Sequence, residues 1–202
     1  MGNNYKTVAR SATWETKIQR SVFIGHTGSV DSEAEAKAFL AKVREEHAQA
    51  THNCYAYRLG LCDLPLEYYN DHGEPAGTAG RPILNAILQA GLYNTIVVIT
   101  RYFGGKKLGI RGLIDAYHST AVQTLAVAGV KEILPRFSLS VTCAYSQLAQ
   151  VNYILQQFAG LTETIDYSAN VKLQVLLPEE HRAEVISALS ALSGVELVRP
   201  SR

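Results

Sequence analysis

The stretch TIVVITRYFGGKKLGIR, residues 95–111, decides how the larger part of this chain folds. Its opening Thr-Ile-Val-Val-Ile-Thr is β-branched without interruption, the pattern of a central strand covered on both faces rather than an edge strand with one wet side. The next eleven residues carry four basic side chains, two aromatics and three glycines, with no acid. They lead into a helix predicted over 113–128, whose stripe is Leu113, Ile114, Tyr117 and Ala121 and whose C-cap is Gly129.

Working towards the N-terminus, Pro82 opens another helix with a stripe of Ile83, Leu84, Ile87, Leu88 and Gly91. Strands are predicted at 54–59 and 66–70, and a further strand at 21–30 is followed by a helix to about residue 48. Asp31 and Ser32 cap that helix, and Ala36, Phe39, Leu40 and Val43 form its apolar face. Towards the C-terminus the rhythm changes to strand 137–144, helix 146–158, strands 162–168 and 170–177, helix 178–192 and strand 195–199. This β-α-β-β-α-β order is the ferredoxin-like arrangement, two helices on one face of an antiparallel sheet. The expected fold class is therefore α+β, with an N-terminal α/β two-layer domain over 1–134 and a ferredoxin-like domain over 135–202.

Composition agrees with a chain that folds without staples: 202 residues, 47% hydrophobic and 18% charged. No apolar run is long enough to span a bilayer and no signal core follows the N-terminal charges, so a cytoplasmic protein with no membrane partner is expected. Lys6 stands where a myristoylation pattern needs Ser or Thr. Cys54, Cys62 and Cys143 are odd in number and contain no CxxC pair, the pattern of buried thiols rather than of a disulfide framework or a zinc cluster. A net charge of +1 gives no global attraction to nucleic acid, so any such binding must come from a local patch.

Two segments carry candidate chemistry. In NDHGEPAGTAGRP, residues 70–82, Asp71, His72 and Glu74 place an acid, a base and a second acid close together. The spacing fits no HExxH, GxSxG or calcium loop. Gly73, Gly77 and Gly80, with Pro75 and Pro82, read as backbone-shaping residues, and Thr78, Ala79, Gly80 and Arg81 would lie at a helix N-terminus able to hold an anion. In the basic segment, Arg101, Lys106, Lys107 and Arg111 suit phosphate contacts and Tyr102 or Phe103 suits base stacking, with Gly104, Gly105 and Gly109 shaping the loop. Its alternative is a plain turn with solvated lysines.

Neither a P-loop nor a GxGxxG occurs, which argues against a nucleotide cofactor. His52 and Cys54 share a strand face but lack further ligands at usable spacing, and His26, His47, His118 and His181 are scattered, so no metal and no cofactor are expected.

Taken together, DHGEPAGTAG, GRPILNAIL and TIVVITRYFGGKKLG resemble the signature of the IMPACT family, and the resemblance covers essentially the whole chain. Asp71, Gly73, Glu74, Pro75, Gly77, Thr78, Ala79 and Gly80 match the first family segment; Arg101, Tyr102, Phe103, Gly104, Gly105, Leu108, Gly109, Ala116 and Tyr117 match the second. His72 replaces the usual second aspartate, removing the carboxylate pair a metal would want, and Arg111 replaces a small residue. The resemblance implies an N-terminal domain like the second domain of a small-subunit ribosomal protein and a C-terminal domain like the last domain of elongation factor G. It also implies a non-enzymatic role in regulating translation, with RNA, the ribosome or a protein as partner. The alternative is a hydrolase or transferase acting on a small anionic substrate, with Glu74 or Asp71 as base.

Overall fold

The computed structural model describes residues 4–60 and 64–198, so Cys62 and the expected strand end at Arg199 lie outside the described residues. The chain divides into two compact units, one spanning Tyr5–Ile133 and the other beginning at Leu134.

The first unit contains β1 (Tyr5–Val8), β2 (Ala12–Ile18), β3 (Ser21–Ser29), α1 (Glu33–Glu46), β4 (His52–Leu59), β5 (Leu66–Asn70), α2 (Gly80–Gln89), β6 (Thr95–Tyr102), α3 (Gly109–Ala128) and β7 (Val130–Ile133). Five strands form an antiparallel sheet in the order β2-β3-β6-β4-β5, while β1 pairs with β7. β6 is the middle strand, and both of its faces are dry, as its β-branched run predicts. Val97 and Ile99 pack into a core with α2 and α3, through Ile83, Ile87, Leu113, Tyr117 and Leu125. Ile96 and Val98 pack on the other side with Ala36, Leu40 and Val43 of α1. The sheet thus has helical cover on both faces, where a two-layer domain was expected; strand alternation sends every second apolar side chain of β6 to the face that α1 shields.

Local chemistry sets the helix ends. Ser32 accepts from the Glu35 N–H and Glu35 reaches back to the Asp31 N–H, a reciprocal cap on α1. α2 begins at Gly80, so Pro82 occupies its first turn. Gly91, expected on the buried stripe, instead ends the helix. It is exposed with φ +64, its N–H bonds Leu88 O, and the Leu92 N–H bonds Ile87 O, a Schellman motif. Ile114 is also off the core, 37% exposed, because α3 turns Leu113 and Tyr117 inward. α3 starts at Gly109, earlier than its apolar stripe suggests. It approaches β3 so closely that a Cβ on Gly25 would lie 2.0 Å from Thr124 Oγ1.

β1, β2 and β7 escape the sequence pattern. β1 and β7 are four residues each and β7 is largely exposed, so neither carries enough apolar alternation to announce itself.

The second unit follows its predicted order closely: β8 (Arg136–Cys143), α4 (Leu148–Gln157), β9 (Leu161–Tyr167), β10 (Val171–Pro178), α5 (Arg182–Ser190) and β11 (Glu196–Val198). Its sheet is antiparallel in the order β11-β8-β10-β9. Inward residues Phe137, Leu139, Val141, Leu173, Val175 and Leu177 pack against Val151, Leu155, Val185 and Leu189 of the two helices. The protein is therefore a two-domain α+β chain with a ferredoxin-like second domain.

Candidate functional site

Sheet register assembles the site. Phe23 of β3 and His52 of β4 both stand opposite Arg101 of β6, so the three side chains form a row across neighbouring strands on the face that carries α2 and α3. β6 runs two residues past Thr100, and that extension sends Arg101 inward and Tyr102 to the opposite face. There the half-buried Tyr102 turns its hydroxyl to His47 Nδ1 at 3.0 Å, on the face opposite Arg101.

Arg101 was expected to contact phosphate. It is instead buried: Nη1 donates to Glu74 Oε1 at 2.5 Å, Nη2 to Ser21 Oγ at 3.3 Å, and the guanidinium lies against the Phe23 and Phe103 rings. A charge this deep needs a partner, and Glu74 from the other glycine-rich segment supplies it. The Tyr117 hydroxyl of α3 donates to the same Glu74 oxygen at 2.8 Å, and His52 Nε2 stands 3.9 Å away. Burial, then the nearby Cys54 thiol, raises the Tyr117 hydroxyl far above the usual phenol range, so it remains a donor. The two glycine-rich segments are thus joined by one buried polar knot, Glu74–Arg101–Tyr117.

Asp71 holds the rest of its loop. Its Oδ2 accepts from Gly77 N at 2.9 Å, and its Oδ1 from Ala79 N at 3.0 Å and Gly80 N at 2.8 Å. Thr78 N–H and its hydroxyl both bond Pro75 O. The anion site expected on the amides of Thr78, Ala79 and Gly80 is therefore filled by the protein's own carboxylate, the charge that a helix N-terminus attracts. Arg81 is exposed and does not line the cleft described below. Gly73 and Gly77 have φ of +86 and +76. Gly80 lets α2 start directly against β5, since a Cβ there would sit 2.8 Å from Asn70 N. Gly104 packs so tightly on Arg20 O that a Cβ would lie 1.9 Å from it, and Gly105 and Gly109 take positive φ in the turn that follows.

His72 also serves the loop. With φ +42, its Nδ1 accepts from Asn53 N at 3.1 Å and its carbonyl accepts from His52 Nδ1 at 2.8 Å. Burial lowers its imidazole below the usual histidine range, consistent with a neutral acceptor. The second bond places a proton on His52 Nδ1 and fixes the ring with Nε2 turned towards Glu74.

The face above this knot is a cleft of about 410 Å³. Phe103, Leu108, Ile110 and Leu113 supply apolar wall, and His52, Glu74, Arg101 and Lys107 supply polar groups. Lys107 is exposed in its lining, as is Phe103 at 46%, and the neighbouring Lys106 and Arg111 of the same segment are also exposed. Tyr117 lies in the core, as its place on the α3 stripe predicts, and reaches Glu74 with its hydroxyl; His52, read from sequence only beside Cys54 as a weak metal pair, is brought to Glu74 by strand register, which composition does not reveal.

Cys54 lies behind the cleft and makes a poor nucleophile. Its thiol faces Asp71 O at 2.9 Å and the Tyr117 hydroxyl at 3.4 Å, and burial pushes its pKa up to about 12. In a Cys62→Ser, Cys143→Ala background, disulfide reagents at pH 8 should label Cys54 on the order of a thousandfold more slowly in the native protein than in denaturant, from the difference in thiolate fraction. Equal rates would contradict the buried placement.

Comparison with known proteins places this geometry. Residues 19–125 match the Impact N-terminal domain, and residues 141–194 match a domain of unknown function, DUF1949. The chain is 38% identical over 180 residues to the IMPACT family member YvyE of Bacillus subtilis (strain 168), covering 89% of this chain and 82% of that one. It is 36% identical to the IMPACT family member YigZ of Escherichia coli (strain K12), covering 92% of this chain and 91% of that one. A crystal structure of a hypothetical protein superposes with a TM-score of 0.72 at 33% identity, covering all of both chains.

Proposed function

Because this chain belongs to the IMPACT family, we propose that it is a non-enzymatic, translation-linked protein that binds structured RNA, the ribosome included, through the rim of the Glu74–Arg101 cleft. The observation that carries this reading is the rim itself. Lys106, Lys107 and Arg111 are all exposed in the segment that carries the half-exposed Phe103, Lys107 and Phe103 both line the cleft, and no acidic residue stands between positions 101 and 111, on a chain whose net charge is only +1. Concentrated cation next to an accessible ring is the chemistry of backbone neutralisation with base stacking. Arg101 serves this surface from beneath, as the buried support of Phe103, and Tyr102 takes no part in it.

The hydrolase or transferase alternative draws less support. Asp71 is engaged by three backbone amides, and Glu74 by Arg101 and Tyr117, so both candidate bases are committed to internal contacts.

Co-sedimentation with ribosomes tests the proposal. The wild-type protein should pellet with ribosomes at low salt and crosslink to RNA through residues 101–111. The Lys106→Ala, Lys107→Ala, Arg111→Ala variant should stay in the supernatant while melting at the wild-type temperature. Undiminished co-sedimentation of that variant would remove the basic rim from the function.

A further inference from the structure

On the opposite face of the same sheet, two parts of the fold come together: His26 of β3 meets Glu46, at the last turn of α1, and His47, which caps that helix. Each offers one ligand atom, and these atoms lie within 4.8 Å of one another. The two imidazole rings are tilted, with centroids 4.9 Å apart. We propose that His26, Glu46 and His47 form a binding site for a borderline divalent metal ion, Zn²⁺ in the first instance.

Three independent features support it. His26 is only 7% exposed, yet its Nε2 has no hydrogen-bond partner among the described residues. A buried imidazole nitrogen without a partner costs stability unless something fills its lone pair, and a metal ion would do so. Its other nitrogen, Nδ1, lies 3.4 Å from Thr13 Oγ1, an outer contact of the kind that orients a ligating ring.

The second feature is His47. Its Nδ1 is held by the Tyr102 hydroxyl at 3.0 Å, which leaves Nε2 as the available ligand atom.

The third is room. A cavity of about 500 Å³ opens here, lined by Thr13, His26, Phe39, Lys42 and Glu46 among others, so the remaining coordination positions can be taken by water. Two imidazoles and one carboxylate with open positions is a donor set suited to zinc and related ions. Bonds of about 2.0–2.1 Å in a tetrahedron bring ligand atoms roughly 3.4 Å apart, so the cluster must tighten. Glu46 is exposed and His47 half-buried, and side-chain rotation suffices for that closure. Burial also pushes the His26 pKa down to about 4, leaving a neutral ring ready to ligate. Lys42, whose Nζ is 3.9 Å from Glu46 Oε1, is the competing cation; its side chain is already exposed and only this long contact is given up when the metal binds.

Ligand spacing along the chain does not reveal this site, because His26 and His47 stand twenty-one residues apart and meet only through the packing of α1 on β3. The test uses untagged, chelator-stripped full-length protein titrated with Zn²⁺ against a chromogenic chelator, and with Co²⁺ followed by its visible d–d absorption. One equivalent of Zn²⁺ should bind, and Glu46→Gln or His47→Ala should weaken it at least about tenfold; Tyr102→Phe, which frees the His47 ring, should weaken it about tenfold. Both exposed-side variants leave the buried His26 in place, so folding is not at issue. Failure of the protein to compete for Zn²⁺, or unchanged affinity in the Glu46→Gln, His47→Ala double variant, would overturn the proposal.

Discussion

Glu74→Ala lowers the unfolding free energy by about 3–5 kcal/mol, the cost of leaving a buried charge without its partner. Side-chain exposure is only 4% for Glu74 and 5% for Arg101, so the Arg101 charge left behind is largely shielded from water. The Tyr117 hydroxyl loses its acceptor in the same variant, and the two glycine-rich segments lose their one direct ion pair among the described residues. Urea denaturation monitored by circular dichroism reads the effect. Tyr117→Phe, which removes one donor and leaves the ion pair, should cost only about 1 kcal/mol. If Glu74→Ala unfolded with the wild-type midpoint, the Arg101 charge would not be held as the structure describes.

Asp71→Ala should cost about 2–3 kcal/mol, since its carboxylate accepts three backbone N–H groups that no other described acceptor satisfies. The amides of Ala79 and Gly80 belong to buried residues, so the penalty is one of desolvation as well as of broken bonds. Asp71→Asn is the sharper variant. Its amide oxygen can still serve Ala79 and Gly80, but its NH₂ would face the Gly77 N–H donor to donor. A destabilisation comparable to that of Asp71→Ala is therefore expected, in the same denaturation experiment. If Asn were tolerated at no cost, charge at the start of α2 would matter less than the hydrogen-bond geometry indicates.

The elements that sequence made legible are those whose periodicity reaches the surface of the pattern. The β-branched run at 95–100, the reciprocal cap before α1, and the strict alternation of Phe137, Leu139 and Val141 each encode their structure locally. β1 and β7 do not, because four-residue strands that pair across the chain carry too little alternation to be distinguished from loop. Site chemistry was legible as composition and not as geometry. The acid–base crowding at Asp71, His72 and Glu74 suggests catalysis on its face, but Asp71 and His72 hold backbone amides and Glu74 neutralises a buried arginine. Which of Arg101 and Tyr102 faces the cleft depends on how far β6 runs past Thr100, a difference of two residues that no propensity decides. The same is true of His52, whose place beside Glu74 follows from its register opposite Arg101.

The most direct test of the proposed function is the salt dependence of RNA binding, followed by fluorescence anisotropy with a structured RNA containing single-stranded loops. Replacing Lys106, Lys107 and Arg111 with alanine should weaken binding across sequences and flatten the slope of log K against log salt by about two, at roughly 0.7 for each single-strand phosphate that is no longer neutralised. The wild-type slope retained in that variant, at unchanged thermal stability, would contradict the assignment of this rim to RNA.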